Sequence, residues 1–320
     1  MFPYIDMHCD TLEKAWHQKT KDIHHIKETM LNIKSLQQAA CQTQFFAIFM
    51  QPITKIRPVS DKDYIKVLRY IFENTIKPHP KDLVWIKQKS DLALCEKENK
   101  LGAVLTLEDG RYVNSQLDKL NELYQYGISL ITLTWNHENC FGFPASNDSV
   151  IMNRGLTEFG KGAISQMNEL GILIDVSHLS DGGFYDVAKI SKKPFAASHS
   201  NCRTLCNHPR NLTDDMIRMM GNKGGVIGVN FYPYFLDDDR NPKSTKELIA
   251  KHLRHIIMVG GIECAAIGTD FDGIEGNIEI NEPTKMQSLF EFLMQGGFTE
   301  KEVEYIAYKN VQRMIHDVFR

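Results

Sequence analysis

The chain has 320 residues, 42% hydrophobic and 24% charged, with a formal net charge of −3. That balance gives no electrostatic case for a nucleic-acid or anionic-membrane partner. Apolar runs such as FFAIFM at 45–50 fall far short of the ~20 residues that span a bilayer.

Short apolar, β-branched runs alternate with longer stretches of helical periodicity. The runs predict strands at 3–8, 43–49, 103–108, 128–134, 172–177, 194–199, 225–230 and 264–269. Helices are expected at 61–76, 114–126, 155–170, 181–191, 213–222 and 244–259, and further helices at 283–296, 299–307 and 309–318 follow the last strand. Asp214 and Asp215 suit the first turn of one of these, where negative charge opposes the helix dipole. Eight strands separated by helices is the count of a (β/α)₈ TIM-type barrel, here one catalytic domain over 1–320 with extra C-terminal helices. An open doubly wound sheet is the rival, but no GxGxxG or Walker A pattern supports it.

The strand ends carry the chemistry. YIDMHCDTL at 4–12 places Asp6, His8 and Asp10 at alternate positions, so they would share one face of a strand. Asp6 is expected to orient His8 or cap the barrel floor. The later strands run into Glu108 (LTLEDG), Trp135, Asn136 and His137 (LTWNHEN), His178 (IDVSH), His199 (ASHSN), and Asp270 and Asp272 (IGTDFDG). Parallel barrel strands bring their C-terminal ends to one rim, where active sites of this architecture sit. Imidazole with carboxylate is a ligand set for Zn²⁺, with Mn²⁺, Co²⁺ or Fe²⁺ as substitutes. Three histidines and two acids exceed one open tetrahedral site and suit a pair of ions about 3.5 Å apart. Glu108 would bridge, His8 and Asp10 would complete one site, and His178 and His199 the other. A hydroxide between the two ions would fill their open positions.

The remaining histidines (17, 24, 25, 79, 208, 252, 255 and 316) read as surface or packing residues. Seven cysteines without framework spacing, Cys202 and Cys206 included, read as reduced thiols of a cytoplasmic protein. The first residues lack the basic and apolar regions of a secretion signal.

The motifs DMHCDTL, LTLEDG, LTWNHEN, GILIDVSH, ASHSNCRTLCNHPRNLTDD and IGTDFDG occur in the order found in the membrane dipeptidase (renal dipeptidase, peptidase M19) family, which the chain resembles over about 4–273. The resemblance implies a binuclear zinc dipeptidase with His8, Asp10 and Glu108 on one zinc and Glu108, His178 and His199 on the other. It further implies that Arg210 binds the terminal carboxylate of a dipeptide, that Asp270 handles the proton, and that the protein dimerises. Asp272 should point elsewhere, to a structural hydrogen bond. In the family's mammalian enzymes a substrate-binding histidine follows the LT of strand four directly. Here Trp135 takes that place, and the role passes by i+2 spacing to His137, which would also stabilise the oxyanion. Residues 51–100 and 232–245 are expected to shape the pocket rim. The alternatives are another binuclear amidohydrolase, a cyclic amidase or deaminase, and a catalytically silent metal-binding barrel.

Overall fold

In the computed structural model, eight parallel strands close on themselves: β1 (Tyr4–Asp6), β2 (Cys41–Phe49), β3 (Leu101–Glu108), β4 (Ile128–Thr132), β5 (Leu173–Asp175), β6 (Ala196–Ala197), β7 (Val226–Val229) and β8 (Ala265–Ile267). The structure describes residues 1–24, 26–52 and 57–320. His25 and the 53–56 portion of the expected rim lie outside the described residues. Closure runs from β8 through β1 to β2, and then from β2 directly to β3, where Thr43 to Phe49 pair with Gly102 to Glu108. All eight strands expected from the sequence are present. A ninth, Leu83–Trp85, pairs with the first three residues of β3, below the point where β4 joins at Leu105.

The barrel strands are buried along most of their length, as a sheet covered on both faces requires. One apolar side chain from each fills the interior: Ile5, Phe45, Val104, Leu130, Leu173, Ala196, Val226 and Ala266. Val311, Met314, Ile315 and Val318 from the last helix, Asn310–Val318, join the same cluster. Asn310 fastens that helix to the start of β8, its amide donating to the Ile262 and Ala265 carbonyls at 2.7 and 2.8 Å. The expected helices at 299–307 and 309–318 form one continuous run, joined by a π turn over Tyr305–Lys309.

Most expected helices begin where a hydroxyl caps them. Thr157, Ser180, Thr213, Thr245 and Thr299 each accept a backbone N–H from the first turn, a contact typically worth ~1 kcal/mol. Asp6 ties three strands together beneath the rim. It accepts from the Thr269 N–H and hydroxyl at 2.8 and 2.7 Å and from the Gln44 amide at 3.0 Å, and it lies 3.4 Å from the His8 N–H. Burial pushes its carboxyl up to about 6 even so.

Candidate metal centre and active site

The chain leaves β1 at Asp6 and turns through His8, Cys9 and Asp10, with Cys9 bridged to Phe271 beyond β8. That exit brings His8 Nε2 to 3.4 Å from Asp10, 3.6 Å from Glu108 and 3.8 Å from Asp270. Glu108, the last residue of β3, divides its carboxylate. Oε2 faces His8, while Oε1 faces His178 and His199 at 3.1 and 3.5 Å. The Nε2 atoms of His178 and His199 stand 3.1 Å apart. All six side chains are buried.

Three rim residues hold left-handed backbone: His178 (φ 66), Asp270 (φ 63) and Asp272 (φ 70). Such conformations are uncommon outside glycine and cluster at sites where geometry is imposed. Gly228 and Gly268 have no room for a Cβ against the Ser198 carbonyl. Their smallness lets β7 and β8 close in behind His199.

Hydrogen bonds fix which imidazole nitrogen is free. The Ser198 hydroxyl donates to Asp175 Oδ2 at 2.6 Å. It can therefore only accept from His199 Nδ1, 2.8 Å away. That assignment puts the proton on Nδ1 and turns the Nε2 lone pair toward Glu108. His178 Nδ1 donates to Asn136 Oδ1 at 3.0 Å, with the same consequence. This is the arrangement by which supporting groups orient metal-bound histidines. Asp175 is anchored in turn, accepting from the Thr132 hydroxyl and from the Ser177 and Ser198 N–H groups.

The cluster is electrostatically incomplete as a protein-only site. His8 Nδ1 and Nε2 and Asp10 Oδ1 are buried without a hydrogen-bond partner. Burial pulls the His8 imidazole down, but Glu108, then Asp10 and Asp270, outweigh it and lift it to about 10. Burial pushes the Glu108 carboxyl well up and that of Asp270 to about 7. Burial first, and positive neighbours second, hold His178 and His199 well below the ordinary imidazole range. The neutral His178 and His199 imidazoles and the carboxylates crowded about His8 form a donor set that fits divalent metals.

A cavity of about 390 Å³ opens over the cluster, walled by Phe49, Trp135, Asn136, His178, Tyr232 and Phe235, with Glu13, Lys14 and Glu275 among its polar residues. Asn230 donates to Asp270 Oδ2 at 2.9 Å, leaving Oδ1 toward His8. Arg210 is buried beside the cluster. One guanidinium nitrogen lies 3.3 Å from the His199 carbonyl, and the plane stands 5.3 Å from the Phe235 ring. Its Nε has no partner, and among the described residues it forms no ion pair. Burial lowers it to about 10. His208, read as a packing residue, accepts the Arg210 N–H at 3.2 Å and so helps hold that turn.

Asp272 accepts from the Thr11 hydroxyl and the Met30 N–H at 2.5 and 2.7 Å, the structural role expected of it. His137 is not brought to the cavity. β4 ends at Thr132 and the chain bends from Leu133 onward, so two-residue alternation no longer selects a face. His137 is exposed, its ring 5.8 Å from Trp135. From this segment Trp135 and Asn136 form the cavity wall. The sequence reading missed Asp175, Ser198 and Asn230. The one signal available was a polar residue inside an apolar strand or immediately before a histidine of the cluster.

A (β/α)₈ barrel whose rim gathers three histidines with three carboxylates defines a metal-dependent hydrolase. Comparison with known proteins narrows the class. The family model described as membrane dipeptidase (peptidase family M19) matches residues 1–319, and the chain belongs to that family. It is accordingly a metallo-dipeptidase, a hydrolase acting on peptide bonds. An uncharacterized dipeptidase of Schizosaccharomyces pombe is 30% identical over 300 residues, covering 88% of this chain and 71% of that one. An uncharacterized protein from the pqqA 5′ region of Klebsiella pneumoniae is 32% identical over 239 residues, covering 72% and 87%. Among solved structures, a metallopeptidase of Rhodobacter sphaeroides, bound to a phosphinate mimic of the dipeptide L-Ala-D-Ala, superposes with a TM-score of 0.87 at 22% identity over 99% of both chains. Among the described residues, no helix is long and apolar enough to cross a membrane.

Proposed function

We propose that the chain hydrolyses dipeptides at a binuclear zinc centre, with His8 and Asp10 holding one ion, His178 and His199 the other, and Glu108 shared between them. The observation that carries this reading is the division of Glu108, one oxygen toward His8 and the other toward the His178–His199 pair. When bound, the metals would polarise the scissile carbonyl and bring the pKa of attacking water toward about 7.

The protein's own groups do the rest. Arg210, with an unsatisfied guanidinium nitrogen and no carboxylate partner, receives the free C-terminal carboxylate. A planar fork fits two carboxylate oxygens, and holding that carboxylate would favour dipeptides over longer chains. Asp270, oriented by Asn230, takes the proton of the attacking water and delivers it to the leaving amine nitrogen, as general base and then general acid. Phe49, Trp135 and Phe235 exclude water from the cavity. The oxyanion contact expected of His137 is not carried forward, because that residue is exposed and is not among those that wall the cavity. The Rhodobacter relative's ligand suggests that a D-residue is accepted at the C-terminal position here too. A single catalytic domain, a homodimer and a cytoplasmic setting belong to the same proposal.

The test is turnover of a dipeptide panel before and after chelation, with zinc restored. Activity that survives complete metal removal contradicts the reading.

A further inference from the structure

The mechanism leaves one wall of the cavity unused. The helix Thr11–His17 follows directly from the ligand segment and presents Glu13 to the cavity. The residue is only 9% exposed. Both of its protein partners, the Gln51 amide and the His17 ring, meet Oε1. Among the described residues Oε2 has none, and no lysine or arginine pairs with this carboxylate. Lys14, the adjacent residue, lines the same cavity but also borders the neighbouring groove beside Glu28 and Glu282, and it forms no ion pair with Glu13. Burial, then the nearby Asp10, push the Glu13 carboxyl up to about 7 against the weaker pull of Lys14 and Gln51, so a cation seated against Oε2 would be needed to hold its charge fully.

The wall continues from Glu13 through Gln51, whose N–H donates to the Phe49 carbonyl, to Phe49 and Trp135, stacked edge to face at 4.9 Å. Two aromatic faces leading to a buried acid suit a long apolar stem that ends in a positive charge. With the terminal carboxylate of a dipeptide at Arg210 and its carbonyl over the metal cluster, the side chain of the amino-terminal residue is the part left to occupy this wall. From this geometry we infer that Glu13 is a specificity residue, selecting dipeptides whose amino-terminal residue is lysine or arginine. The inference rests on the dipeptidase reading and deepens it.

The test compares Lys-Ala with norleucyl-Ala, which keeps the stem and lacks the ammonium. In the wild-type enzyme, kcat/KM for Lys-Ala is expected to exceed that for norleucyl-Ala by at least tenfold. Glu13→Gln should collapse that ratio toward one, and Glu13→Lys should invert it and favour Glu-Ala over Lys-Ala. Equal use of both substrates by the wild type overturns the inference without touching the dipeptidase reading, and this result needs no variant to fold. A loss in Glu13→Gln that is the same for both substrates also overturns it, because Glu13 would then read the α-ammonium common to all dipeptides. Turnover of no dipeptide at all removes the proposed function and this inference with it.

Discussion

Asp175 accepts the Ser198 hydroxyl at 2.6 Å and thereby dictates the tautomer of a different residue, His199. Asp175→Asn or Ser198→Ala should weaken metal binding by about 10- to 100-fold, the usual cost of losing a supporting contact behind a metal-bound histidine. Competition against a chromophoric chelator measures it. A purely structural Asp175 would lower the melting temperature of Asp175→Asn and leave the metal affinity of the folded protein unchanged.

Arg210 stands buried with nothing to neutralise it but the nearby acids of the cluster. Arg210→Lys keeps the charge and loses the fork. Removing one charge-assisted hydrogen bond at about 1.5–3 kcal/mol should lower kcat/KM for dipeptides about 10- to 100-fold. Amidated dipeptides, which lack the carboxylate, should be poor substrates for wild type and variant alike. Steady-state kinetics on both substrate classes decide it.

His137→Ala should leave kcat and KM within about twofold of wild type, because the residue is exposed and outside the cavity. Trp135→Ala should raise KM instead, since it opens a wall shared by Phe49 and the His178 ring. Parallel kinetics of the two variants check the reassignment. A large loss in His137→Ala would restore the role expected from spacing.

His252 is a buried neutral imidazole. Nδ1 accepts the Cys202 N–H at 3.1 Å and Nε2 donates to the Leu236 carbonyl at 3.0 Å. Burial lowers it from 6.5 to about 4. Between those values the unfolded chain binds the proton and the folded protein does not, so this residue's contribution is intact above pH 6.5 and is lost as pH falls toward 4. The loss approaches roughly 3 kcal/mol at about 1.4 kcal/mol per pH unit. Denaturant unfolding of wild type and His252→Gln between pH 7 and 4 should show a shallower pH slope for the variant.

The barrel and the gathering of His8, Asp10, Glu108, His178 and His199 at one rim were legible because both obey local rules. β3 and β4 are largely apolar runs, and each residue of the rim cluster stands at or just after the end of such a run. Leu83–Trp85 was hidden because three residues carry no periodicity, and its pairing depends on where β4 joins. The roles of Ser198 and Asp175 were hidden because they follow from β5 and β6 lying side by side, which sequence order suggests but does not measure. His137 misled because alternation was carried past the end of β4, where the chain bends. Asp6 lies near the His8 N–H and reaches across to Thr269, contacts that follow from β1 pairing with both β2 and β8.

The central claim is that the Glu108 carboxylate lies between two metal positions. Anomalous diffraction at the zinc edge, from crystals of the zinc-loaded protein, addresses it directly. Two peaks are predicted, one against His8 and Asp10 and the other against His178 and His199. An empty cluster, or Glu108 turned away from one of the two groups, would contradict the account.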